Sequence, residues 1–299
     1  MHKQTHKRAF YTLAGCIAAL ALCVAASLFL LTPAPKAQDV TIPGTRGDIY
    51  ATVQLPGKLA RGAELPLVVL CHGFTGSRSG DGHFAPLAAD LAAQGIATVR
   101  LDFPGCGNST EPFTAYTLSN MTDDVESAIT YMQQTYGTGR TALVGHSMGG
   151  RLASLYTALA LWSPANGAGL RGMEFLNIDD FSAVEALAAE AEASGSISTW
   201  GVDVSGTLFT EMRDSDPNAA LRESALPTLL TYTGHEGILS DTTQAETIAA
   251  VESLPDGRVV LEPFAEGNHN YLSEDAATAA ALDKALRATT VAFLVEFLK

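Results

Sequence analysis

The sequence is poor in the residues that hold metals, nucleotides and nucleic acids. It has four cysteines, Cys16, Cys23, Cys71 and Cys106, with no C-x-x-C pair and no H-E-x-x-H run. The donor spacing of a zinc site is therefore missing. No G-x-x-x-x-G-K-[ST] loop is present to wrap a nucleotide's phosphates. Basic residues are scarce: 18 Lys and Arg stand against 32 Asp and Glu, a formal charge of -14. Lys3, Lys7 and Arg8 lie at the extreme N-terminus, so the body is more acidic still. Phosphate binding needs clustered Lys and Arg, which argues against a nucleic-acid partner. There is no internal repeat and no low-complexity tract beyond Ala-rich helices. No cofactor is implied.

Cys16 and Cys23 fall in an apolar N-terminal segment, which leaves Cys71 and Cys106 as the only pair in the body. Each ends or follows an expected strand. A disulfide in an oxidising compartment fits, and two buried free thiols fit as the simpler reading. The run Ala9 to Leu31 carries no charge and is long enough to span a bilayer. The basic residues before it should stay cytoplasmic. Three arrangements compete. An uncleaved signal anchor is favoured, because the run is long for a secretory h-region. A cleaved peptide would use sites near Ala26 or Ala37. Leu13-Ala14-Gly15-Cys16 resembles a lipoprotein box, but the apolar run before it is short and continues beyond it. Each puts the body outside the cytoplasmic membrane, membrane-attached through residues 9–31 or secreted. Residues 1–37 are thus expected to be leader and linker, with 32–38 reading as the linker itself.

A chain of 299 residues, 47% of them apolar, suits one α/β domain with an insertion. Asp48 to Leu55 alternates apolar and polar, as an edge strand does. Leu65–Leu70 and Ile96–Leu101 are apolar runs expected to be strands. Phe84–Ala93 and Met121–Tyr131 have helical period. Strands that read as continuous apolar runs between helices indicate a parallel sheet covered on both faces. From Asn166 to Ala225 this rhythm fails: Ser182–Ala193 reads as a helix, and Gly195–Gly206, which holds Trp200, as irregular chain. That stretch is expected to be an inserted cap. Pro227–Tyr232 resumes the sheet, Asp241–Val251 is a helix, Arg258–Pro263 a last strand, and Asp275–Leu298 a closing helix.

The most informative stretch is Thr141–Gly150. Ala142-Leu143-Val144 reads as a buried strand, Gly145-His146-Ser147-Met148-Gly149 fits G-x-S-x-G, and a helix follows from Met148 to Ala160. Strand, sharp turn and helix together make a nucleophile elbow. The turn needs small flanking residues, which Gly145, Gly149 and Gly150 supply. Ser147 then projects from the strand tip, and the Met148 N–H stands at a helix N-terminus, where it can face developing negative charge. The connection after the elbow is ambiguous. Leu159–Ala165 looks like a following strand with no turn before it; the other reading is one helix from Met148 to Trp162 and a strand over Met173–Ile178.

The order His72-Gly73-Phe74-Thr75, then Asp102 to Ser109 (DFPGCGNS), then GHSMGG, then a late histidine resembles the α/β-hydrolase fold. Within it, the chain is similar to bacterial serine esterases of the cinnamoyl/feruloyl type over most of Asp48–Lys299. The resemblance implies a mostly parallel central sheet with helices on both faces and an inserted cap. It also implies an acyl-enzyme on Ser147 and the chain order Ser, acid, His. Two histidines follow Ser147, His235 and His269. His269, just after the expected last strand, is the candidate base, and an imidazole with an ordinary pKa of about 6.5 suits that task. The acid loop departs from the usual Asp. Aligning Gly237–Ser240 with the family's tail puts Glu236 at the acid position; Asp241 is the rival, with helix capping as its plainer role. The oxyanion hole is expected from the N–H groups of Phe74 and Met148. His72 and His146 are expected to shape their loops, and His83 to pack or to touch substrate, with packing favoured. The implied activity is hydrolysis of carboxylic esters, with a small or aromatic acyl group. Other readings are an exported serine peptidase, a lipase or thioesterase of the same fold, and a non-catalytic binding module.

Overall fold

A computed structural model describes residues 36–57, 64–156, 160–224, 226–255 and 257–298. The expected leader over 1–35 lies outside them. Among the described residues no helix is long and apolar enough to cross a membrane.

In chain order the elements are β1 (Ala37–Pro43), β2 (Asp48–Gln54), β3 (Leu65–Cys71), α1 (Phe84–Ala93), β4 (Ala97–Leu101), α2 (Leu118–Tyr136), β5 (Thr138–His146), α3 (Met148–Tyr156) and β6 (Ala160–Trp162). The chain then leaves the sheet through a 3-10 turn at Gly169–Leu176, α4 (Phe181–Ser194), β7 (Ser196–Thr199), β8 (Val202–Ser205), α5 (Gly206–Asp214) and α6 (Pro217–Glu223). It returns as β9 (Thr228–Thr231), β10 (Thr233–His235), α7 (Asp241–Glu252), β11 (Val259–Leu261), β12 (Phe264–Asn268) and α8 (Ala276–Leu298).

The main sheet has eight strands in the order β1-β2-β4-β3-β5-β6-β9-β11. β1/β2 and β2/β4 are antiparallel, and the other pairings are parallel. Successive strand residues point to opposite faces. Val68, Leu70, Ala142 and Val144 pack against α1 and α8 through Phe84, Leu87, Leu91, Leu286 and Leu294. Leu67, Val69, Cys71 and Leu143 pack the other way, against Val125, Met132 and Leu152. Both faces are dry, which is why β3 and β5 read as unbroken apolar runs. The second core continues into the excursion between β6 and β9 through Val184, Leu208 and Phe209.

Several expectations are corrected. β2 is not an edge strand, because β1 pairs along its whole length, with Ala37 opposite Gln54 and Pro43 opposite Asp48. Ala37 and Gln38, read as linker, belong to that edge strand. The helix after the elbow does not run to Ala160; α3 ends at Tyr156 and Ala160–Trp162 is a sheet strand between β5 and β9. Met173–Ile178 is accordingly no strand, and most of it lies in the 3-10 turn. Gly195–Gly206 is not irregular: it holds an antiparallel hairpin with Trp200 at its turn. Arg258–Pro263 is not the last strand either, since β12 follows and pairs in parallel with β10. Cys71 and Cys106 are free, buried thiols, and burial pushes both up to about 12.

Candidate active site

Ser147 sits between the end of β5 and the start of α3 with φ 54, a left-handed conformation that costs a non-glycine residue about 1–3 kcal/mol. Close packing holds it there. A Cβ on Gly145 would come within 2.1 Å of the Gly149 carbonyl oxygen, and one on Gly149 within 2.1 Å of the Cys71 oxygen. Neither position admits a side chain, so the motif's glycines are steric requirements. The Ser147 N–H donates to the Trp162 carbonyl at 2.9 Å, and its carbonyl accepts from Arg151 and Ala165.

The loop after β3 lies directly against the serine: a Cβ on Gly73 would stand 2.9 Å from the Ser147 Cβ and 3.4 Å from its Oγ. Phe74 follows in that loop, and Met148 opens α3 on the other side of Ser147. Among the described residues neither backbone N–H donates to a backbone acceptor in a turn, loop or cap. His72 braces the loop. Its Nδ1 contacts the Gly73 carbonyl at 2.7 Å, and its Nε2 accepts the Phe103 N–H at 3.1 Å. Burial pushes this imidazole down to about 4.

His269 follows β12, and Glu236 follows β10. The parallel pairing of these two short strands sets His235 opposite Asn268, which brings the next residue of each, Glu236 and His269, side by side. The His269 Nδ1 bonds the Glu236 Oε1, with both side chains buried, and the His269 N–H donates to the Glu236 carbonyl at 3.2 Å. The second carboxylate oxygen accepts from Ser163 Oγ at 2.9 Å and Thr233 Oγ1 at 3.4 Å. Ser163, at φ 41, also contacts the Tyr271 hydroxyl, which meets Thr231. Burial raises that phenol, so Tyr271 is neutral and serves as a fixed hydrogen-bonding group. The charge of Glu236 is thus met on both oxygens, as a buried carboxylate requires.

Asp241, the rival acid, is exposed in the first turn of α7. It does not cap the helix; Ser240 does, accepting from the Thr243 N–H at 3.2 Å. His235 is exposed and faces Glu266 at 3.9 Å. His83 packs as expected, between Asp283 at 2.8 Å and the Asn270 carbonyl at 3.0 Å. His146 contacts the His269 carbonyl through Nε2 at 3.0 Å; burial, then the neighbouring His269, pushes it down to about 3.

Ser147, His269 and Phe74 open on one cavity of about 180 Å³, together with Phe175, Trp200 and Ile238. That is below the roughly 300–1,000 Å³ of drug-sized ligand pockets, and it suits a small substrate. Met148 and Glu236 are buried and do not line it. Among the described residues no group of carboxylate, thiol or imidazole side chains is arranged to hold a metal ion.

Two residues that govern this site carry no motif. Arg151, wholly buried one turn into α3, donates to the carbonyls of Ala165, Gly167, Met212 and Ser215 and to the Ser215 hydroxyl. Glu174 of the 3-10 turn accepts from the Ser240 N–H and hydroxyl, at the end of the acid loop. In the sequence they show only as an Arg following GHSMGG and a Glu in the run GLRGMEFL, and neither pattern is distinctive.

A strained serine between a central parallel strand and a helix, under a loop that approaches it from the neighbouring strand, is the elbow architecture of α/β hydrolases. The profile of the alpha/beta hydrolase family matches residues 68–298, and the chain belongs to that family. Among solved structures, Est1E from Butyrivibrio proteoclasticus with ferulic acid bound is similar at 18% identity, over 85% of this chain and 99% of that one, with a TM-score of 0.63. An esterase of Pyrococcus furiosus is similar at 16% identity, over 89% and 92%, with a TM-score of 0.59. The esterase domain of a Rhodothermus marinus protein is similar at 17% identity, over 87% and 99%, with a TM-score of 0.56. The expected likeness to bacterial esterases of the feruloyl type is thus present in the fold. No curated protein sequence matches.

Proposed function

We propose that the protein is a serine hydrolase that cleaves small carboxylic esters through an acyl-enzyme on Ser147. The observation that carries this reading is that His269, held by the buried Glu236, opens on the same cavity as the strained Ser147. Glu236 occupies the Nδ1 of His269, which leaves Nε2 to serve the serine. His269 takes the Ser147 proton as Oγ attacks the ester carbonyl. The N–H groups of Phe74 and Met148 receive the charge that develops on the carbonyl oxygen. The C–O bond to the alcohol then breaks, and the alcohol leaves with the proton from His269. Water repeats the sequence on the acyl-enzyme and releases the acid.

The small cavity supports a short or compact acyl ester over a peptide. The ferulic acid held by Est1E supports an aromatic acyl group as one class to try. The charge-free run over 9–31 behind Lys3, Lys7 and Arg8 supports an extracytoplasmic body, anchored or secreted. The test is fluorophosphonate labelling of the full chain with peptide mapping, followed by p-nitrophenyl esters of graded acyl length beside aminoacyl-anilides. The expected result is adduct on Ser147, lost with His269→Ala, and turnover of esters alone. Turnover retained by Ser147→Ala would overturn the reading.

A further inference from the structure

The cavity over Ser147 has a charge asymmetry that ester hydrolysis by itself does not require. Among the described residues no lysine or arginine lines it. One of its two imidazoles, His146, is neutral because burial drives it down to about 3, and the other, His269, is the base of the proposed reaction. Among the described residues the only carboxylate on its wall is Asp81, which is exposed and has no hydrogen-bonding or ion-pairing partner there. Asp81 stands at φ 52 between two further left-handed residues, Gly80 and Gly82. Much of the remaining wall is aromatic. Phe74 and Phe175 have ring centroids 5.1 Å apart, Phe175 and Trp200 5.2 Å, and Trp200 is 49% exposed.

A carboxylate and several aromatic rings, with no competing cation, make up the chemistry that receives a positively charged group. Aromatic faces attract cations, quaternary ammonium groups above all, because their dehydration is cheap. We propose that this cavity selects esters that carry a cationic group, with a quaternary ammonium as the fitting kind, and that Asp81 is its specificity-determining residue. The inference rests on the proposed ester hydrolysis and adds the charge of the substrate to it. The chain's formal charge of -14 acts in the same sense at longer range, drawing cationic substrates in and repelling anionic ones. A carboxylate about 4 Å from an ammonium in water favours it by about five-fold, and the preference should shrink as salt screens it.

The test compares acetylthiocholine with its uncharged isostere, S-(3,3-dimethylbutyl) thioacetate, on the full chain. The released thiol is followed at low and at high ionic strength. In each case Ser147 takes the acetyl group, the C–S bond breaks and the thiol leaves with the proton from His269. The expected ratio of kcat/KM, cation over isostere, is about five or more at low salt and falls toward one at high salt. Asp81→Asn, which tolerates the left-handed backbone, should lower the ratio. Tetramethylammonium should inhibit cleavage of the uncharged thioester competitively. A ratio of one or less at low salt, or a ratio unmoved by Asp81→Asn, would overturn the inference while leaving ester hydrolysis standing. Cleavage of neither thioester, nor of any p-nitrophenyl ester, would overturn both.

Discussion

Mild acid should loosen the Ser147 end of the sheet through two buried histidines, His72 and His146. His72 and His146 are buried and neutral. The bonding of His72 fixes its tautomer: Nδ1 donates to the Gly73 carbonyl, so Nε2 is free to accept the Phe103 N–H. A second proton on Nε2 would set two N–H groups against each other. Burial holds His72 at about 4 and His146 at about 3, whereas both titrate near the ordinary value of about 6.5 once unfolded. Below that value the unfolded chain binds more protons than the native one, so stability falls as pH falls. Between about pH 7.5 and about pH 5 the linkage costs about 2 kcal/mol for each imidazole. Asp124 acts in the opposite sense. Burial, only partly offset by Arg46, raises its carboxyl to about 6. Its native form therefore takes up a proton first and gains about 1 kcal/mol over the same interval. The net expected loss is about 2–3 kcal/mol, a sizeable share of a typical stability of about 5–15 kcal/mol. Urea unfolding followed by tryptophan fluorescence at the two pH values measures it. In His72→Gln the loss between the two pH values should shrink by about 2 kcal/mol. A wild-type midpoint unchanged at the lower pH, or an equal loss in the variant, refutes the reasoning.

Glu236→Gln should lower kcat by about 10³–10⁴-fold, because an amide can hold His269 in the wrong tautomer; Asp241→Asn, read in the same ester assay, should leave kcat within about two-fold, since an exposed surface substitution has little effect. Ser163→Ala removes the hydroxyl from the second oxygen of Glu236. A hydrogen bond to a charged group is worth about 1.5–3 kcal/mol, so kcat should fall by about ten-fold or more, with KM little changed in steady-state kinetics. Arg151→Met leaves the carbonyls of Ala165, Gly167 and Ser215 without this donor and should cost at least about 1–3 kcal/mol in urea unfolding.

What could be read in the sequence was what steric necessity writes locally. The elbow needs Gly145 and Gly149 because their Cβ positions are occupied by backbone, and that need shows as a motif. The strands β3 and β5 show because both faces of the sheet are dry. His269 and Glu236 followed from chain order in a resembling family, and the structure pairs them. The edge strand β1 was missed because five of its seven residues are exposed, which leaves no apolar pattern. The hairpin of β7 and β8 was missed for a like reason, with Ser, Thr and Asp along it. The pairing of β10 with β12 joins two very short segments about thirty residues apart, and no local signal encodes such a contact. Arg151, Glu174 and Ser163 act through carbonyls and hydroxyls that the chain brings together only on folding.

The shortest strand of the main sheet's interior explains how the parts of the site keep their spacing. Ser147 follows β5, and Glu236 follows β9 by way of β10, but β5 and β9 are not neighbours; β6, three residues long, lies between them. Its tip bonds to both sides. The Trp162 carbonyl accepts the Ser147 N–H, the Ser163 N–H donates to the Thr231 carbonyl, and the Ala165 N–H returns to the Ser147 carbonyl. From the same residue, the Ser163 hydroxyl reaches Glu236. A helix that ran on from Met148 through Trp162 would remove every one of these bonds and leave Glu236 without a register to Ser147. The return of the chain to the sheet at Ala160 is therefore a condition of the site, and the strained φ of Ser163, like that of Ser147, marks where the fold holds backbone out of its preferred conformation to aim a hydroxyl.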